Sequence, residues 1–164
     1  MPPPELSVTL RLATVDDRAA LCQWMRTHLE ELAVWNPTVD VDAPFDEQWL
    51  ERPDVLFPWV IEVGGTPAGF AFLGNHRLAA AMGASSDFYF HEFHVDRAFR
   101  RRGVGRRAVE LLLERHVGSW TLDVLPSNGP AVAFWERALG GRGLRRTPRT
   151  GEDGVQFVRF VTER

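Results

Sequence analysis

The stretch "VDRAFRRRGVGRRAVELLL", residues 95–113, decides how this chain is read. A strand-like run, "DFYFHEFHV" (87–95), ends at Val95, and an amphipathic helix is expected from Gly103 to Val117, with Val104, Ala108, Leu111 and Leu112 at helical spacing. Around the helix start stand five arginines (Arg100, Arg101, Arg102, Arg106, Arg107) and two glycines, Gly103 and Gly105. The first turn of a helix has unpaired N–H groups and the positive end of the peptide dipoles, so cations placed there are opposed by the helix itself. Such a cluster needs an anion. Glycine lets the main chain come close to a phosphate, and guanidinium groups pair with its oxygens. Strand, glycine-bearing loop and helix start together describe a diphosphate site.

The 164 residues suffice for one sizeable core, and 45% apolar with 25% charged residues is ordinary for a globular domain. No run approaches the ~20 apolar residues that span a bilayer, so no membrane partner is expected. "MPPPELS" has neither a basic start nor an apolar stretch; it reads as a frayed lead-in at 1–7 before a single domain at 8–164. Cys22 is the only cysteine, which excludes an intrachain disulfide and a thiolate zinc site. It falls in an apolar helical pattern and reads as a core residue in a protein of the reducing cytoplasm.

All 19 basic residues are arginine. The absence of lysine excludes a Schiff-base lysine and a Walker loop. Charge is divided along the chain, with net −8 over residues 1–62 and net +5 over 63–164. The total of −3 is not that of a nucleic-acid-binding polycation, and no aromatics interleave the arginine cluster. The cationic half suits an anionic ligand and the acidic half a cationic one, each steered to its own side.

"VTLRLA" (8–13) alternates as a strand. Thr14 and Asp17 form a capping-box pattern before a helix with Val15, Ala19, Leu21, Cys22, Met25, Leu29 and Leu32 in period. A loop follows, with a short helix at "DEQWLE" (46–51). "VLFPWVIEV" and "TPAGFAFLG" are expected to pair as a hairpin through Gly64-Gly65, and "NHRLAAAMGASS" (75–86) reads as a small-residue loop. Beyond the arginine cluster come a strand at "WTLDVL", a helix capped by Asn128 and running to about Leu139, a Gly/Arg-rich connection, and a last strand at "GVQFVRFVTE". Gly103-Val104-Gly105-Arg106-Arg107-Ala108 also matches the dinucleotide fingerprint, with Asp123 about 20 residues on. That fold wants its strand to run directly into the first glycine, and "DRAFRRR" intervenes.

Arg100-Arg101-Arg102-Gly103-Val104-Gly105 after Val95, followed by "LDVLPSNGPAVAFWERALG" (122–140), resembles the two signatures of the GNAT N-acetyltransferases, in the right order over residues 88–141. The resemblance implies an α/β single-domain fold with a mixed central sheet of about six to seven strands, antiparallel in its N-terminal part, flanked by about four helices. It implies acetyl-CoA as co-substrate, no metal, and transfer of the acetyl group to a primary amine, expected from the charge division to be cationic, in a monomer or homodimer. The backbone of Phe93, His94 and Val95 would hold the pantetheine arm and acetyl group. Arg100 and the N–H groups from Arg101 through Arg102, Gly103, Val104 and Gly105 to Arg106 would hold the diphosphate, and Asn128 the pantetheine. A non-catalytic acyl-CoA-binding or regulatory module is the alternative reading.

An ammonium cannot attack a thioester until a base removes its proton. Asp123, five residues before Asn128, and Glu92 stand equal as candidates, with His91 and His94 behind them. Period-two alternation would put Glu92 and His94 on one strand face and His91 on the other. Where the family commonly has a thiolate-protonating Tyr, this chain has Trp135, whose indole N–H is no acid near neutral pH. Trp135 is therefore expected to pack against the cofactor arm. Trp35, Phe45 and Trp49 are candidates for the acceptor pocket, with burial in the core the expectation for at least one of them.

Overall fold

The structure is a computed structural model that describes Met1 and residues 5–163. One seven-stranded sheet runs through it: β1 (Val8–Leu12), β2 (Leu56–Val63), β3 (Thr66–Asn75), β4 (Phe88–Val95), β5 (Trp120–Val124), β6 (Arg145–Thr150) and β7 (Gln156–Thr162). The spatial order is β1-β2-β3-β4-β5-β7-β6, and only β4 and β5 are parallel. The helices are α1 (Arg18–Ala33), α2 (Gln48–Glu51), α3 (His76–Ala81), α4 (Val104–Arg115) and α5 (Gly129–Leu139). None of the described helices is long and apolar enough to cross a membrane.

Local chemistry explains the elements. Thr14 and Asp17 form the reciprocal capping box that starts the 3-10 turn leading into α1. Gly64 and Gly65 take φ of 56° and 80°, the left-handed pair that closes the β2–β3 hairpin. Two apolar layers sandwich the sheet. Leu21, Trp49, Phe70 and Phe72 bury one face under α1 and α2, with Leu78 of α3 alongside. Phe90, Trp120, Leu122, Trp135 and Phe160 join Val109 and Leu112 on the other, under α4 and α5.

Several expectations are corrected. "NHRLAAAMGASS" is not all loop: Asn75 Oδ1 accepts from the Arg77 N–H at 2.9 Å and starts α3, where alanine-rich sequence favours helix. The Gly/Arg-rich connection contains β6, an edge strand whose backbone pairs with β7 while its arginines stay mostly exposed. Cys22 is exposed, because the buried stripe of α1 passes through Leu21 and His28 beside it. Of the expected lead-in, residues 2–4 lie outside the described residues. Leu6 already packs against the core, and the Ser7 carbonyl accepts from the Gly64 N–H at 2.9 Å.

A β-bulge on β4 matters most for function. Phe72 pairs with Glu92 but Leu73 pairs with Phe90, so His91 is an extra residue. The alternation expected across 91–94 therefore fails at His91, while Glu92 and His94 share a face as expected. His91 stands 5.4 Å from the Trp49 ring, on the α1–α2 face together with Glu92 and His94, while Phe90 and Phe93 both turn to the α5 side.

Candidate active site

Parallel pairing between β4 and β5 lasts for only three residue pairs, ending at Phe90↔Leu122. Beyond it the strands diverge, and a cleft of about 1100 Å³ opens between them. Its lining includes Gly103 and Asn128 at the starts of α4 and α5, and the apolar side chains of Trp35, Val39, Met82 and Phe157.

Ahead of α4, Arg101 and Gly103 adopt left-handed backbone, φ 59° and 77°, and the helix begins with no side chain capping its first N–H groups. Those donors remain for an anion. Nothing lies within 4 Å of where a Gly103 Cβ would be, so its backbone conformation, not space, requires glycine. Gly105 differs from expectation: a Cβ there would stand 3.3 Å from the Phe134 ring, so this glycine allows α4 to approach α5. Val104 is buried with Ile61, Val95 and Ala108. Arg101 and Arg106 are exposed at the cleft, whereas Arg102 is exposed but does not line it.

Arg100 turns inward: its Nε donates to the Val95 carbonyl at 2.6 Å and a terminal nitrogen to Glu31 at 2.8 Å. Glu31 also accepts from Arg97 at 3.0 Å, so this carboxylate ties α1 to the loop. Burial would push the Glu31 carboxyl up, but hydrogen bonds from Arg100 and Arg97 hold it below its ordinary range. Asn128 caps α5, its Oδ1 accepting from the Ala131 N–H at 3.2 Å, and its amide N–H groups have no partner among the described residues.

Phe93 and Trp135 meet edge to face at 5.4 Å and form an aromatic wall of the cleft with Phe134. Trp135 is buried and packs on Phe90 as well. Trp35 lines the cleft, and the Ser127 hydroxyl donates to its carbonyl at 3.3 Å. Trp49 and Phe45 belong instead to the core cluster around Phe72.

The two candidate bases have different surroundings. Asp123 is 4% exposed; it accepts from Arg149 at 2.8 Å, from Arg159 at 2.8 and 3.0 Å, and from the Tyr89 hydroxyl at 2.6 Å. Both of its oxygens are taken up in joining β4, β5, β6 and β7. Burial and the neighbouring Asp123 charge push the Tyr89 phenol far up. Glu92 faces α1, where its carboxylate meets His28 Nε2 at 2.5 Å. Burial alone would raise the Glu92 carboxyl; His28, with a smaller contribution from His91, holds it below the ordinary range.

His94, 3% exposed, lies edge-on to His28 at 5.5 Å and stacks on Phe70 at 5.6 Å. Desolvation, then the His28 charge, lowers it to about 4, with Glu31 opposing. A histidine near 6.5 when unfolded and about 4 when folded binds more protons unfolded over that interval, so stability falls as pH drops from 6.5 to 4. The expected loss is on the order of 3 kcal/mol. Urea midpoints of the wild type and His94→Gln at pH 7.5, 6 and 5 test it: the variant should show a flatter slope, and parallel slopes would refute it.

Sequence reasoning missed His28, Glu31, Arg149 and Arg159. His28 was detectable, since it continues the stripe Leu21, Trp24, Met25 at helical spacing. Arg159 had a weaker signal, a charge inside the apolar strand "QFVRFVT".

Comparison with known proteins agrees with this geometry. The sequence profile of the Acetyltransferase (GNAT) family matches residues 19–140. Among solved structures, aminoglycoside acetyltransferase AAC(6')-Ib in complex with coenzyme A and kanamycin is 25% identical, with TM-score 0.68 over 96% of this chain and 95% of that one. An acetyltransferase from Thermus thermophilus is 19% identical, with TM-score 0.72 over 98% and 99%. YncA from Salmonella typhimurium, solved with its cofactor acetyl-CoA, is 19% identical, with TM-score 0.68 over 96% and 94%. The last two likenesses concern the fold alone. No curated protein sequence matches the chain. With the profile covering most of its length and the strand divergence in place, the chain belongs to the GNAT acetyltransferase family.

Proposed function

We propose that this protein transfers an acetyl group from acetyl-CoA to a primary amine, with both substrates held in the cleft at once. The observation that carries this reading is the early end of β4–β5 pairing, which leaves a strand-wide gap beside the uncapped start of α4. An extended pantetheine arm fits such a gap as an added strand along Phe93, His94 and Val95. The diphosphate fits the N–H groups from Arg101 to Arg106, with the Arg101 and Arg106 side chains at the cleft for further oxygens. Asn128 offers its free amide N–H groups to the arm, and Trp135 its buried face.

Acetyl-CoA supplies the acetyl group as a thioester, whose C–S bond breaks as the amine nitrogen forms the new C–N bond, the electron pair leaving with sulfur. Glu92 takes the ammonium proton, directly or through water, and His28 fixes its carboxylate; the second proton, shed by the nitrogen as the amide forms, passes to water. Asp123 is occupied by two arginines and Tyr89 and serves the frame. Trp135 cannot act as an acid, and the Tyr89 hydroxyl already donates to Asp123. The sulfur therefore leaves unprotonated, which a thiol of pKa ~8.5 tolerates.

Gly103→Asp tests the cofactor half. It places a side chain on a backbone at φ 77° and a negative charge where the diphosphate would lie. Calorimetric affinity for coenzyme A should fall by about 100-fold, the loss of one charge-assisted contact. Unchanged affinity would reject the site. Thiol release from acetyl-CoA with an amine panel tests the transfer half, and tight binding without turnover would favour a non-catalytic module.

A further inference from the structure

Three carboxylates line the cleft, and each is already paired. Glu31 holds Arg97 and Arg100, Glu92 meets His28, and Asp123 holds Arg149 and Arg159. Part of the acidic surplus of the N-terminal half is engaged in the same way: Asp17 and Glu62 pair with Arg11, Glu47 with Arg18, Asp42 with Arg26, and Asp54 with Arg52. Glu5, Asp16, Asp40, Asp46 and Glu51 have no ion pair among the described residues, but none of them lines the cleft. No carboxylate lining the cleft among the described residues is left for a second ammonium group.

Arg149 has unused donors. Its guanidinium lines the cleft, with its Cζ 5.9 Å from the centre of the Phe157 ring. The side chain is 22% exposed, and one nitrogen donates to Asp123 at 2.8 Å. Its remaining N–H groups have no hydrogen-bond partner among the described residues. Arg159, by contrast, directs four of its five N–H groups to Asp123 and to the Met82 and Gly83 carbonyls. Asp123 thus holds one nitrogen of Arg149 and leaves the others to the cleft that the side chain lines. Phe157 lies beside it, Met82 beside its neighbour Arg159, and Trp35 and Val39 add to the apolar lining of the same cleft.

We propose that the acceptor is an amine bearing a carboxylate on an apolar body, its carboxylate received by Arg149 and its body by Trp35, Val39, Met82 and Phe157. This rests on the acetyl-transfer reading above. An arginine presenting several planar donors is the side chain suited to a carboxylate, and truncating it leaves that group unpaired in the site. The proposal gives the cationic amine that the charge division suggested an anionic group as well.

The test compares L-phenylalanine, phenethylamine, which is the same body without the carboxylate, and spermidine, with acetyl-CoA saturating. L-phenylalanine should exceed both others in kcat/KM by at least about tenfold. Arg149→Gln should narrow its advantage over phenethylamine to less than about twofold through KM, and Arg149→Lys should restore part of it. Calorimetry with N-acetyl-L-phenylalanine gives a second readout, with binding weakened at least about tenfold in Arg149→Gln. Preference for spermidine, or equal use of phenethylamine and L-phenylalanine, overturns the proposal while leaving acetyl transfer intact. Turnover with none of the three overturns it too, and takes the transfer reading with it only if acetyl-CoA also fails to bind.

Discussion

Asp123→Asn should lower the free energy of unfolding by about 3–5 kcal/mol, the cost of removing one partner from a buried ion pair. The carboxylate is 4% exposed and faces two guanidinium groups, so the amide leaves Arg149 and Arg159 uncompensated where water cannot reach them freely. Tyr89 loses its acceptor in the same step. The strands that meet at Asp123 come from both sides of the cleft, so the loss should appear as a lower urea midpoint with an unchanged slope. Coenzyme A affinity of the folded fraction should survive. A variant of wild-type stability that has lost turnover would return Asp123 to the role of base.

Glu92→Gln should leave coenzyme A affinity and the fold intact and lower kcat by about 10²–10⁴-fold, the usual worth of a positioned general base. Because His28 holds the Glu92 carboxyl below its ordinary range, it stays ionised through neutral pH. The ratio of wild-type to variant rates should therefore be flat between pH 6.5 and 8.5. Any rise of the wild-type rate with pH then reports the acceptor amine. The stability from the His28 contact is present above the ordinary carboxylate range and is lost as pH falls through the lowered folded value. A loss of less than about fivefold, or a ratio that changes with pH, would dismiss Glu92 as the base.

The elements most legible in the sequence were those set by local rules. Thr14 and Asp17, Gly64-Gly65, and Asn128 each did in the structure what their backbone chemistry predicts. Gly103 also stands where the pattern put it, at a left-handed position opening α4. Gly105 does not follow the same logic, because its neighbour is Phe134 from a helix about 30 residues later, a contact that no local pattern encodes. The face of His91 escapes sequence reading for a related reason. Period-two counting assumes an unbroken pleat, and the bulge on β4 is visible only in its pairing with β3.

The sequence by itself determined the family, the order of strand, loop and helix at the arginine cluster, and the two carboxylates worth testing. These follow from spacing, propensity and capping, which act within a few residues. Only the tertiary structure decided how those carboxylates differ. Asp123 is held by Arg149 and Arg159 because β6 and β7 bring them to it, and Glu92 meets His28 because α1 delivers it. Charge is long-ranged but its pairing is a matter of contact, so an acidic half-chain could be counted in advance while its unpaired remainder could not.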